Sequence, residues 1–192
     1  EKGKYHPRIS AQFTYIYRSL TDYERWCFNR LYNDFYYHRH NDFWYGKAMW
    51  KLPPLIDSTS MLTCAEDLGM IPDCVPAVMN ALQMLSLEIQ RMPKDPKAEF
   101  GNTWTYPYLS VCTTSTHDMG GIRQWWEENR DVTQHFYNNM LHEQGPAPHY
   151  AEPWICDKIV TLNLQSPSML AIFPLQDWLS IDGNLRRNDP RE

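Results

Sequence analysis

Hydrophobic positions along this chain change period near residue 58. From Asp22 onward, apolar and aromatic residues recur at helical spacing through Trp26, Cys27, Leu31, Phe35, Phe43, Trp44 and Met49. Thr21-Asp22-Tyr23-Glu24 has the form of a capping box, which fixes the start of that helix. Pro53-Pro54 predicts its end near Leu52, as one long helix or two in series. After a turn at 58–60 the pattern becomes a set of short, continuous apolar runs at 61–65, 84–90, 108–113 and 170–175, each of a length suited to a buried strand. Helical spacing fills the intervals at 72–82, 122–129, 131–143 and 151–164, with Pro153 tolerated in a first turn. Residues 92–107 read as a loop, and Gly145-Pro146-Ala147-Pro148 as a breaker. Residues 1–20 carry no clear period, and the polar tail 182–192 is expected to fray.

Strands alternating with helices predict parallel βαβ units under a helical cover. The expected class is α/β: a helix-rich partial (β/α)8 TIM barrel of about four βα units, in one domain spanning 1–192.

Two of the apolar runs end in acids. The run 61–65 leads into Glu66-Asp67-Leu68-Gly69, and the run 108–113 into Thr114-Ser115-Thr116-His117-Asp118. In α/β barrels the chemistry sits at the C-terminal ends of the strands. Carboxylates gathered there suit glycosidic-bond chemistry, where one acid protonates a leaving oxygen and others stabilise positive charge at a sugar carbon.

Composition narrows the partners. The formal net charge is -5, from 18 basic and 23 acidic residues, which gives no basic footprint for nucleic acid. No apolar stretch approaches the roughly 18 residues a membrane span requires. Five widely spaced cysteines, with no C-x-x-C, predict free thiols in a reducing cytosol, with Cys64 and Cys112 as small buried hydrophobes. Aromatic residues reach 14%, which fits sugar platforms or an aromatic-rich core. His38-x-His40-x-Asp42 invites a metal reading, but an i,i+2 spacing on a helix turns ligands to different faces, so no metal is expected.

Ala65-Glu66-Asp67-Leu68-Gly69-Met70-Ile71-Pro72 and Ser115-Thr116-His117-Asp118, followed by Trp125-Trp126-Glu127-Glu128, resemble the 4-α-glucanotransferases of glycoside hydrolase family 77. Leu52-Pro53-Pro54-Leu55-Ile56 and the stretch from Ser166-Pro167-Ser168-Met169 to Leu175-Gln176-Asp177 are similar to the larger disproportionating-enzyme branch. The resemblance runs from about Ala11 to Arg187. It implies strands 5–8 of the barrel, with Glu66 after the fifth as general acid/base. Asp118, after the seventh, would be the carboxylate that fixes sugar hydroxyls, and His117 would bind the same ring. Arg91, with Glu88 and Gln90 at the end of the sixth strand, and Gln176 and Asp177 after the eighth, are candidates to line the substrate cleft. An apolar flank at Met61 and Leu62 would help to keep Glu66 protonated. Trp125 and Trp126 read as packing between helix and barrel rather than as a glucose platform.

The family's Arg-x-Asp-His nucleophile motif does not occur in this sequence. The resemblance therefore implies the C-terminal half-barrel of a longer enzyme. That enzyme would be cytoplasmic, would act on maltodextrins and would need no cofactor, and the half-barrel alone would be inactive. Two further readings stay open. One is a non-catalytic half-barrel that binds glucan or forms a homodimer through its open sheet edges. The other is half of a related hydrolase.

Overall fold

A computed structural model of the chain describes residues 3, 5–69 and 71–183; the expectation for the tail beyond Gly183 falls outside the described residues. The chain divides into two compact units, one of residues 1–61 and 70–82, the other of residues 62–69 and 83–192.

The first unit is helical. A 3-10 turn at Ala11–Phe13 leads to α1 (Tyr15–Ser19), in the stretch where the sequence pattern predicted no element. Helix α2 (Asp22–Asn33) starts at the expected capping box. The Thr21 N–H donates to Glu24 Oε2 at 2.8 Å, and the Glu24 N–H donates to Thr21 Oγ1 at 3.3 Å. The Thr21 N–H and hydroxyl, both donating to Glu24 Oε2 at 2.8 Å, hold the Glu24 carboxyl below its ordinary range. Their contribution is complete above the unfolded-chain value for Glu and is lost as pH falls through the lowered one.

The helix does not break into two. A π-helical segment (Asp34–Arg39) joins α2 directly to α3 (His40–Asp57). Its wider turn re-aims a run of aromatic residues. The Tyr36 hydroxyl donates to the Pro7 carbonyl at 2.7 Å and the Tyr32 hydroxyl to that of Ile9 at 2.9 Å. The ring of His40 packs against Phe35 and Trp44 at 5.4 and 5.9 Å. Helix α3 also runs through Pro53-Pro54, where the sequence predicted its end. Proline's fixed φ is helical, so two prolines close to a C-terminus cost N–H donors without forcing a break. Helix α4 (Val75–Ala81) completes this unit, with the Cys74 N–H held by Asn41 Oδ1 at 2.7 Å.

The second unit contains a parallel sheet of β1 (Ser86–Ile89), β2 (Ser110–Thr113) and β3 (Leu170–Ala171), in that spatial order. A fourth parallel segment sits on the far side of β1, where Cys64 bridges Leu85. There the Ala65 N–H donates to Leu85 O at 2.8 Å and the Leu85 N–H to Thr63 O at 2.9 Å. The expected strand 61–65 therefore shrinks to an isolated bridge. Among the described residues it pairs on one side only, and Met61, Leu62 and Cys64 are all exposed. Cys112, in contrast, is fully buried, and all five thiols are free. The last strand is also shorter than the apolar run, because Pro174 turns the chain into α8 (Leu175–Leu179).

Between β2 and β3 the chain forms α5 (Ile122–Glu128), α6 (Arg130–Asn139) and α7 (Pro153–Leu164). Their inward faces meet in one core built on Trp126, Phe136, Leu141 and Ile155, all fully buried. Phe136 also stands edge-on to Phe100 and Trp125, each at 5.0 Å. Phe136→Ala is expected to cost about 3–5 kcal/mol, read as a lower urea midpoint at unchanged slope.

Arginines tie the connecting loops to this layer. Arg123 donates to Ala151 O at 2.8 Å and to Ser180 O at 2.6 Å. Arg130 donates to Pro148 O at 2.8 Å and Ala147 O at 2.7 Å, which fixes the 145–148 breaker. Among the described residues, no helix is long and apolar enough to cross a membrane.

Candidate functional site

Parallel strands end on the same side of a sheet, so the segments that leave them share one edge. Glu66 follows the bridge at Cys64, Arg91 follows β1, His117 and Asp118 follow β2, and Gln176 and Asp177 follow β3. The topology thus gathers the six predicted site residues at one end of one sheet. Glu66 and Asp118 leave segments that flank β1 on either side.

Their environments divide them into two groups. Glu66, His117 and Asp118 face solvent. Glu66 is exposed, and its Oε1 accepts the Leu68 N–H at 2.9 Å. His117 and Asp118 pair through Nε2 and Oδ2 at 3.2 Å, with side chains 89% and 82% exposed. The apolar flank expected around Glu66 is absent, since Met61 and Leu62 are 75% and 53% exposed. Carboxylates presented this way are free to accept hydroxyls or to exchange a proton with a bound molecule.

Arg91 and Asp177 point inward. The Arg91 Nε and Nη2 donate to the Thr114 carbonyl at 3.1 and 2.8 Å, and Nη2 also donates to that of Gly120 at 2.9 Å. The guanidinium lies over the Trp125 ring, 4.9 Å from its centroid. Burial pushes Arg91 down to about 10, against the favourable charges of Asp177 and Glu128, so it remains a cation at neutral pH. Asp177 is 1% exposed. Its Oδ2 accepts the hydroxyls of Thr114 and Ser115, both at 2.6 Å, and its Oδ1 accepts the Ile122 N–H at 2.8 Å. These two residues were expected to line a cleft. The structure bonds the Asp177 carboxylate and the Arg91 Nε and Nη2 to the loop between β2 and α5. Gln176 beside them is half-buried.

The other residues at the end of β1 are also internal. Gln90 is 2% exposed. Glu88 receives Lys94 Nζ at 2.7 Å, and the same ammonium reaches Asp67 Oδ2 at 2.7 Å. Asp67, the second acid of the Glu66-Asp67 pair, is buried, and its Oδ1 also accepts the Leu87 N–H at 2.9 Å. One acid of the pair is therefore presented outward while its neighbour locks the loop onto β1. Lys94 had no signal in the sequence pattern, because it lies in a Pro-flanked loop with nothing local to pair it. Lys94→Ala leaves two acids without their cation and is expected to lose about 1–3 kcal/mol of stability, measured by urea unfolding. Trp126 is fully buried and Trp125 packs beneath Arg91, so both tryptophans serve packing. Among the described residues no cluster of His, Cys, Asp and Glu could hold a metal ion.

Comparison with known proteins gives a consistent answer. A family profile described as 4-alpha-glucanotransferase, glycoside hydrolase family 77, matches residues 15–192. The chain is 39% identical over 181 residues to the 4-alpha-glucanotransferase DPE2 of Oryza sativa subsp. japonica, an alignment covering 94% of this chain and 19% of that protein. It is 30% identical over 132 residues to a 4-alpha-glucanotransferase of Chlamydia pneumoniae, covering 68% of this chain and 24% of the relative. Among solved structures, the amylomaltase from Streptococcus agalactiae in complex with acarbose is similar with a TM-score of 0.49 and 18% identity, over 67% of this chain and 25% of that one. The chain thus spans about a fifth to a quarter of the length of these relatives.

Proposed function

The chain belongs to the 4-alpha-glucanotransferase family, glycoside hydrolase family 77, and from that membership we propose that it supplies the acid/base side of a retaining glucan-transfer site. The sheet is then a sector of a (β/α)8 barrel, strands 5–8, in a cytoplasmic enzyme. Its substrate is a maltodextrin. The observation that carries the reading is the placement of Glu66 and Asp118 at one end of a parallel sheet, on segments flanking β1.

In this reading Glu66 gives its proton to the glycosidic oxygen as the α-1,4 bond breaks. It then takes a proton from the 4-hydroxyl of the acceptor sugar, so one group serves both half-reactions. Asp118 and His117 accept and donate hydrogen bonds to sugar hydroxyls, and these bonds strengthen as the ring flattens toward the oxocarbenium-like transition state. Gln176 borders the same edge. A retaining transfer also needs a carboxylate nucleophile about 5 Å from the acid/base. The Arg-x-Asp-His motif that carries it in the family is absent from this sequence, so the nucleophile lies on a stretch of polypeptide outside it.

The test is to incubate maltotriose with the chain alone and with the full natural protein that carries this sequence. The full protein is expected to yield glucose and longer maltodextrins, and the chain alone neither. Turnover by the isolated chain would place a nucleophile within these residues and overturn the assignment.

A second reading, self-association without catalysis, is favoured by one feature. Among the described residues the sheet has no further strand beyond the Cys64 bridge or β3, and the exposed residues there include Leu62 at one side and Leu170 and Ile172 at the other. Unpaired strand edges recruit further strands. Light scattering on the isolated chain at rising concentration is expected to report a dimer if the edges pair, and a constant monomer mass rejects this reading.

A further inference from the structure

We propose that Arg91 and Asp177 are positioning residues, which grip the β2–α5 loop at both ends so that His117 and Asp118 are presented in a single shape. The proposal rests on the reading of Asp118 as a substrate-facing carboxylate.

The loop itself has little reason to be ordered. At its tip the side chains of His117 and Asp118 are 89% and 82% exposed and touch chiefly each other. The tip's own hydrogen bonds are local and long, from the Asp118 N–H to Thr116 Oγ1 at 3.3 Å and from the Met119 N–H to Thr116 O at 3.4 Å. Order comes from below. Arg91 bonds the carbonyls of Thr114 and Gly120, one on each side of the tip. Asp177 bonds the hydroxyls of Thr114 and Ser115 on one side and the Ile122 N–H on the other. One cation and one anion therefore span the same loop, Arg91 from the turn after β1 and Asp177 from α8, and Trp125 supports the guanidinium from beneath.

The choice of residue types follows from geometry. A planar fork with fixed donors sets the direction of its bonds to the two carbonyls, whereas an ammonium on a flexible stem acts as a point charge. Asp177 has two oxygens and accepts three bonds, which a neutral amide cannot match because half of its polar end donates. Asp177 is 1% exposed, and Arg91, half-buried, has Nε and Nη2 bonded to the loop, so both act through the place they give Asp118.

The test is Arg91→Lys in the full natural protein. The expected result is a fall of roughly 10–100-fold in kcat for maltotriose disproportionation, the size associated with displacing a catalytic group by about 1 Å. KM should stay within about threefold, because ground-state binding is untouched. Amide hydrogen exchange at 116–119 should quicken by about tenfold or more while α6 and α7 keep their protection. Ser115→Ala, which removes one Asp177 bond and leaves Arg91 in place, gives the same pattern with smaller amplitude and replaces the lysine variant if that one does not fold. A raised KM at unchanged kcat would make Arg91 a sugar ligand and overturn the proposal, as would unchanged kcat and exchange. Asp118→Asn is the control for the underlying reading. If that variant keeps full activity while Arg91→Lys still loosens 116–119, the reading of Asp118 fails and the clamp stands as structure alone.

Discussion

Glu66→Gln in the full natural protein is expected to lower maltotriose disproportionation by about 10²–10⁴-fold, the usual worth of a general acid/base. The substitution isolates chemistry from folding unusually well. Glu66 is exposed, and its one recorded bond, from the Leu68 N–H, can be accepted equally by a glutamine oxygen. Stability should therefore change by less than about 0.5 kcal/mol, as for an ordinary surface site. What glutamine cannot do is release a proton to the departing oxygen or accept one from the incoming hydroxyl. An aryl maltoside, whose leaving group departs without protonation, should recover most of the first half-reaction. If Glu66→Gln retains activity on maltotriose, or loses equally with both donors, Glu66 is not the acid/base.

Asp177→Ala carries the opposite signature. Removing it strands two hydroxyls and one backbone N–H in the interior and withdraws the anion nearest Arg91. Breaking a buried, fully bonded charge is worth about 3–5 kcal/mol. At roughly 2–4 °C per kcal/mol for a chain of this size, the melting temperature should drop by about 10 °C. Calorimetry on the isolated chain measures it directly. A cleft-lining Asp177 would behave differently, with stability unchanged and only activity lost. A shift under about 2 °C would return it to the substrate side.

The elements with strong periodicity were legible. The capping box at Thr21 begins α2, α5 to α7 fall where the apolar spacing put them, and β1 and β2 lie inside the expected runs. Each of these signals is local, carried by side chains within a turn or two of each other. The errors came where a local signal was overruled. Pro53-Pro54 reads as a stop, yet their φ is compatible with helix and α3 has only one more turn to run. The run 61–65 looks buried because it is apolar, but burial depends on a neighbour, and among the described residues its strand pairing is the single bridge to Leu85. Pro174, legible in the sequence as an interruption of the run 170–175, stands at the start of α8.

For the site, residue types and order along the chain point to Glu66, His117 and Asp118, and to the acid pair Glu66-Asp67, because a strand that ends in an acid is visible in one dimension. They could not say which of those acids faces out. Asp67 turned inward to Lys94 and the Leu87 amide, a pairing across 27 positions that no short-range pattern encodes.

The sequence alone determined the alternation of strands and helices, the acids at the strand ends, and membership of a glucan-transferring family, since these depend on local periodicity and on motifs held within a few residues. Only the tertiary structure brought the Arg91 guanidinium and the Asp177 carboxylate onto the loop between β2 and α5. Their roles depend on which buried donors and acceptors lack partners, and those are brought together across 23 to 63 positions of chain only when the sheet closes.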